Sequence, residues 1–280
     1  MNKIAVVVDS TAVIDNELLK SNSNLYSLPL HLIIDNKSYS DGLDITPSEF
    51  CDKMNECLHL PTTSQPNVGD VINLLEKLTE QYEYIIYITI SSKLSGTFQT
   101  GVLVKSQISK DKIIVFDSLF TSTIQKQMAI KALELAKNGS SITDIIENLE
   151  YIKSNSEIYL VVDDLKHLRR TGRISLSMAS LGQVMKIKPI LYFDKGEIVL
   201  KYKVRTLNKV YSKLIDLISD DNLTPTSKII IAHANGYDYA LKLKEMVSKV
   251  YPENDILIEE LSPVISVHTG EKSVGLSWIR

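Results

Sequence analysis

Residues 84–97 read Tyr84-Ile85-Ile86-Tyr87-Ile88-Thr89-Ile90-Ser91-Ser92-Lys93-Leu94-Ser95-Gly96-Thr97. The first half is an unbroken apolar run rich in β-branched and aromatic residues, the mark of a strand buried on both faces. It opens abruptly into hydroxyls, and a helical pattern then continues to about Ile108. Two further segments repeat the arrangement. Residues 4–8 end in Asp9-Ser10-Thr11, and residues 112–116 end in Asp117-Ser118.

Outward from these strands, helices are predicted at 17–21, from near Pro66 to Gln81, and up to Lys137, where Asn138-Gly139 closes the last of them. Residues 28–34 and 37–40 read as a hairpin turning at Asp35-Asn36-Lys37. Thr46-Pro47-Ser48-Glu49 starts a helix on three counts: a capping Thr, Pro in the first turn, and Glu three after the cap. That helix carries Cys51 and Cys57 and stops before Pro61. Alternating strand and helix predicts a parallel sheet covered on both faces. After a helix at 142–152 the pattern changes. A strand at 157–162 precedes a helix over 165–183 that breaks at Gly172, then a hairpin around Asp194-Lys195-Gly196. Ile198, Leu200, Tyr202 and Val204 give that hairpin one apolar face. Helices at 207–218 and 237–250, with strands at 228–232, 256–259 and 273–278, complete the chain. The reading is an α/β protein of two domains, 1–155 with a parallel sheet and 156–280 with a mixed sheet. No Gly/Ser linker separates them, so they should pack tightly.

Composition bounds the function. Of 280 residues, 44% are hydrophobic and 23% charged, which excludes disorder, collagen and coiled coil. Lys and Arg total 31 against 34 Asp and Glu, a net charge of −3, which argues against a chain built for nucleic acid or an anionic surface. Two cysteines make no disulfide framework and fit a reducing compartment. The apolar opening at 4–8 is shorter than an export signal, and no run reaches the roughly 18 residues of a membrane span. A cytoplasmic location is expected.

Ser10, Ser95, Thr97 and Ser118 follow buried strands, and Thr62-Thr63-Ser64-Gln65 precedes a helix. In parallel sheets, ligands sit at the carboxyl ends of strands. Such a shelf of hydroxyls and helix N–H groups suits a small anion such as a carboxylate. Each hydroxyl could equally cap its own helix. His268, read as lying in a polar loop, could serve Ser95 as a base with Asp9 or Asp117 orienting it, which would make a hydrolase or acyltransferase. A third alternative is a binder of a non-lipid small molecule, a sugar or a phosphate. The five histidines show no metal-ligand spacing. His268-Thr269-Gly270-Glu271-Lys272-Ser273 lacks the Gly-Lys pair of a phosphate loop. Lys166, His167, Arg169, Arg170 and Arg173, with Lys186 and Lys188, form either a solvated face or a docking patch.

These motifs resemble the DegV family. They are Asp9-Ser10-Thr11, Leu28-Pro29-Leu30, Thr63-Ser64-Gln65-Pro66, Ser91 through Thr97, Leu168-Arg169-Arg170-Thr171-Gly172-Arg173-Ile174-Ser175, Arg205-Thr206 and His268-Thr269-Gly270. They run in order over nearly the whole chain. The resemblance implies the two-domain DegV-like fold and one bound long-chain fatty acid, with no other cofactor. Family members of the FakB type hold the acid while a separate dihydroxyacetone-kinase-like protein phosphorylates its carboxylate with ATP. Thr63 and Ser95 match the hydroxyls that hold the carboxylate, with Gly96, His268 and Thr269 beside them. Ser10, Ser64, Thr97 and Ser118 are candidates for the same pocket. Arg170, Arg173 and Arg205 match positions tied to partner engagement or the acyl-phosphate step. A transient membrane contact is also expected, and no nucleic acid. Two stretches depart from the family pattern. Leu119-Phe120-Thr121-Ser122-Thr123-Ile124 lacks the usual Gly, and Ser266-Val267-His268-Thr269-Gly270-Glu271-Lys272 lacks a Gly-Pro-Gly turn.

Burying about 15 methylenes at ~0.8 kcal/mol each gains roughly 12 kcal/mol, less several for ordering and association. The tail therefore supplies affinity. The expected head-group cradle is uncharged: hydroxyls, backbone N–H groups and a His, without an Arg clamp, leaving the carboxylate nucleophilic.

Overall fold

The computed structural model describes residues 3–109, 111–163, 165–174 and 187–280. Strands β1 (Ile4–Asp9), β2 (Leu25–Leu28), β6 (Tyr84–Thr89) and β7 (Ile113–Asp117) form a parallel sheet in the order β2-β1-β6-β7. Strands β1 and β6 are buried on both faces, so their alternate side chains serve two cores. Ala5, Val7, Ile85 and Tyr87 pack on helices α3 (Val68–Gln81) and α4 (Thr97–Ile108). Val6, Val8, Ile86 and Ile88 pack on α5 (Ser122–Lys137) and α6 (Ile142–Ser154). A short helix, α1 (Asn16–Ser21), joins β1 to β2.

The second sheet is mixed. Its order is β10-β9-β8-β13-β11-β12, from β8 (Ser156–Val161), β9 (Lys188–Asp194), β10 (Glu197–Val204), β11 (Lys228–His233), β12 (Ile256–Glu260) and β13 (Val274–Ile279). Only β11 and β12 pair in parallel. One face packs on α8 (Leu207–Ser219) and α9 (Tyr237–Val250). The other face shares a core with α5 and α6: Ile158, Leu160 and Phe193 join Ile124 and Met128. The layers therefore run α3/α4, parallel sheet, α5/α6, mixed sheet, α8/α9. The turn between β9 and β10 docks on the first half of the chain, where Ser91 Oγ donates to the Gly196 carbonyl at 2.8 Å. Gly196 has φ +88, and a Cβ there would stand 2.5 Å from Ser91 Oγ, so glycine is required on both counts.

Three local expectations need correction. Leu28 belongs to the parallel sheet, and the hairpin is β3 (His31–Ile34) with β4 (Lys37–Ser40), turned by Asp35 and Asn36 at positive φ. Residues 62–64, read from sequence only as preceding a helix, form a strand, β5 (Thr62–Ser64), paired with β3 to make a third sheet, β4-β3-β5. Helix α2 (Pro47–Glu56) has the predicted capping box at Thr46 and Glu49, but Cys57 is the residue that ends it. The predicted helix at 165–183 begins as α7 (Lys166–Arg170) and breaks at Gly172, φ +71. Its continuation over 175–183 lies outside the described residues, as do Ser175 and Lys186.

Candidate functional site

Between α5 and the inner face of the mixed sheet lies a cavity with about 70 Å3 of space for water-sized centres; all its empty space, open solvent included, comes to about 790 Å3. Ile158 and Leu160 of β8, Phe193 of β9 and Ile198 of β10 form one wall. Ile90, Leu94 and Ile265 close it toward the polar end. The hollow follows from side-chain size. On β13, Val274, Leu276 and Trp278 fill the core against α8 and α9. The alternate residues, Gly275 and Ser277, face the cavity, and Ala232 of β11 does the same. Small residues on one face of a buried strand leave space that bulky ones would fill.

Thr63, Ser95, Arg173, His268 and Thr269 line this cavity together. Thr63 sits opposite Leu32 in the β3–β5 pairing. His268 lies in the last turn of α10 (Pro263–Thr269), a helix capped by Ser262 with Pro in its first turn, rather than in the loop expected from sequence. Thr63 Oγ1 and His268 Nε2 are 2.8 Å apart. Ser95 Oγ is 2.9 Å from Thr97 Oγ1 and accepts from the Thr97 N–H at 3.3 Å, in the turn that opens α4. The Thr269 hydroxyl accepts from Ser273 Oγ at 2.9 Å.

Burial, reinforced by the charges of Arg173 and His167, pushes His268 down to about 3. The ring is therefore neutral near neutral pH, with one N–H and one acceptor nitrogen. Its Nδ1 is buried and has no partner.

The uncharged cradle needs revision. Arg173 reaches the cavity, where its Nε donates to the Leu94 carbonyl at 3.3 Å and its guanidinium also donates to the Thr171 carbonyl. It stands close enough to His268 to oppose protonation of the ring.

Other candidates are placed elsewhere. Ser10 Oγ donates to Asp41 and accepts from the Leu30 N–H. Ser118 Oγ donates to the Phe120 carbonyl, Thr97 is buried against Ser95, and Ser64 is exposed. None of these four is among the cavity-lining residues. Gly96 contributes space instead: a Cβ there would stand 1.9 Å from Gln65 Oε1, and the Gln65 amide donates to Thr100 Oγ1 at 2.5 Å. Arg170 is exposed, with Nη2 3.4 Å from the Leu60 carbonyl, and Arg205 is exposed after β10.

The parts of a Ser/His/Asp hydrolase do not meet. His268 Nε2 faces Thr63, not Ser95. Asp9 accepts from the Ile90 N–H at 2.6 Å and from Thr11, while Asp117 accepts from the N–H groups of Ser92 and Leu119. Asp9 fills the crevice between β1 and β6 where the strand order reverses, a usual ligand position. Burial raises its pKa.

Four cavity-lining hydroxyls were not singled out from the sequence: Thr121, Ser122, Thr123 and Ser277. The run Thr121-Ser122-Thr123 was legible, but only its missing Gly drew notice. Among the described residues, no cluster of His, Cys, Asp or Glu could hold a metal, and no helix is long and apolar enough to cross a membrane.

Fold and site define a layered α/β protein with a deep apolar cavity between its sheets, polar at one end. A model of the DegV family matches residues 3–280, and the chain belongs to that family. A DegV domain-containing protein of Halalkalibacterium halodurans is 35% identical over 280 residues, covering 99% of each chain. The crystal structure of DegV from Bacillus subtilis, a fatty acid binding protein, superposes with a TM-score of 0.89 at 36% identity over 99% of each chain. That of a fatty acid binding DegV family protein from Streptococcus agalactiae does so with a TM-score of 0.91 at 28% identity, over 99% of this chain and 98% of the other.

Proposed function

We propose that this chain binds one long-chain fatty acid in the cavity and presents its carboxylate to a separate ATP-dependent kinase, as in the FakB type. The observation that carries the reading is the Thr63–His268 pair lining a mostly apolar hollow. The tail lies between α5 and the mixed sheet, and the carboxylate meets Thr63, Ser95 and His268. With the proton on Nε2, the neutral ring donates to Thr63 Oγ1 and turns the Thr63 O–H toward the ligand. Arg173 offsets the buried negative charge, which would otherwise be costly. Fatty acid binding by the B. subtilis and S. agalactiae relatives supports this reading.

The chemistry belongs to the partner. A carboxylate oxygen attacks the terminal phosphorus of ATP, ADP leaves, and an acyl phosphate remains. Exposed Arg170 and Arg205 are assigned to docking that partner. The same proposal takes 1–155 and 156–280 as the two domains and the cytoplasm as the location.

Mass spectrometry of protein purified under mild conditions tests the binding. A C14–C18 acid, about the length whose burial gives useful affinity, should copurify. Folded protein that neither carries nor takes up such an acid overturns the reading.

A further inference from the structure

Gly96 opens helix α4 with φ −75, a value that any residue adopts. Backbone freedom therefore does not explain the glycine. Space does: a Cβ there would stand 1.9 Å from Gln65 Oε1 and 3.0 Å from Gln65 Cδ. The glutamine side chain lies where a larger residue 96 would be. Its Nε2 donates to Thr100 Oγ1 at 2.5 Å. Thr100 is buried, and its N–H donates to the Gly96 carbonyl at 3.0 Å, so both contacts of Gln65 fall on the first turn of α4.

That turn also holds Ser95, which precedes Gly96 and accepts from the Thr97 N–H. At its other end Gln65 is anchored to Thr63. It follows β5 directly, two positions after Thr63, and Pro66 restricts it to extended backbone. Thr63 itself is fixed by pairing with Leu32. Gln65 thus joins the strand that bears one cavity hydroxyl to the turn that bears the other. It does not line the cavity, so it acts without touching the ligand. Two hydroxyls that share one carboxylate must keep their spacing to within about half an ångström.

We infer that Gln65 is a positioning residue of the fatty-acid site: interlocked with Gly96 and bonded to Thr100, it sets the spacing of Thr63 and Ser95 for the carboxylate. The inference rests on the fatty-acid reading above. A tail that ends without a carboxylate asks little of that spacing.

The test is displacement of a fluorescent fatty acid from delipidated protein by myristic acid and by myristyl alcohol, which has the same tail. Q65A should weaken the acid about tenfold and the alcohol by no more than about twofold. G96A suits the backbone, and its methyl evicts the Gln65 side chain, so it should show the same selective loss. Q65A leaves room for that methyl, so the double variant should lose no more than either single one. Equal losses of acid and alcohol in both single variants would mark a merely structural role and overturn the inference. Undiminished acid affinity in either variant, or additive losses in the double, also overturns it. Should Q65A bind neither ligand, G96A decides. Wild type that binds neither acid nor alcohol would instead overturn the fatty-acid reading.

Discussion

Thr63 Oγ1 and His268 Nε2 meet at 2.8 Å although 205 positions separate them. Pairing with β3 places the first, and a helix capped at Ser262 places the second. The contact therefore forms only when the small antiparallel sheet and the C-terminal helix have both docked.

Removing a hydroxyl from this end should weaken binding. Each of T63A and S95A should cost ~1–2 kcal/mol, about tenfold in affinity, as expected for a hydrogen bond to a charged group. T63S should recover most of it. Titration with a fluorescent fatty acid reads the change, and unaltered affinity in both alanine variants removes these residues from the site.

Arg173 and Arg205 should separate two tasks. R173A takes a cation from the cavity, so fatty acid affinity should fall, and the His268 midpoint should rise from about 3 because an opposing charge has gone. NMR titration of the imidazole measures the second effect. R205A should leave lipid affinity intact and slow phosphorylation by the partner. Equal phosphorylation rates for wild type and R205A would dismiss its docking role.

Filling the hollow should block it. A Cβ at Gly275 meets only the Tyr159 carbonyl, at 3.7 Å, so the backbone tolerates a side chain there. G275V should fold, since Val suits a central strand, yet its methyls would occupy the path of the ligand. Native mass spectrometry should find the variant lipid-free. A full complement of lipid would place the chain elsewhere.

Two buried groups should give opposing pH slopes. Burial raises Asp41 to about 7 from an ordinary 3.8, so the folded chain holds a proton that the unfolded chain releases. Its contribution is full below pH 4 and is lost as pH rises toward 7. His268, lowered to about 3 from 6.5, works the other way: its contribution is full above 6.5 and is lost as pH falls. Between pH 4.5 and 6.5 the slopes oppose each other in the wild type. In D41N, urea stability should rise with pH across that window; in H268Q it should fall. Parallel profiles for the three proteins would contradict the assignment.

The parallel sheet was legible because its strands are continuous apolar runs ended by polar turns, and local chemistry marked the start of α2. Strand β5 was not, since Thr62-Thr63-Ser64 has no apolar alternation and is extended only because β3 pairs with it. Helix α10 hid behind β-branched Val264, Ile265 and Val267, although Ser262-Pro263 is a sound helix start. Motif resemblance singled out Thr63, Ser95 and His268, which line the cavity. The route of the cavity could not be read, because it depends on which face of β13 meets α5. Gly275 and Ser277, alternating with Val274, Leu276 and Trp278, were the available sign.

Helix α5 is wedged between two sheets and contributes to a core that both share. Melting either sheet would expose one side of that helix to water, so the halves cannot lose structure independently. Heat should produce a single calorimetric peak, and a fragment ending at residue 155 would present a sticky apolar flank and precipitate rather than persist as a monomer.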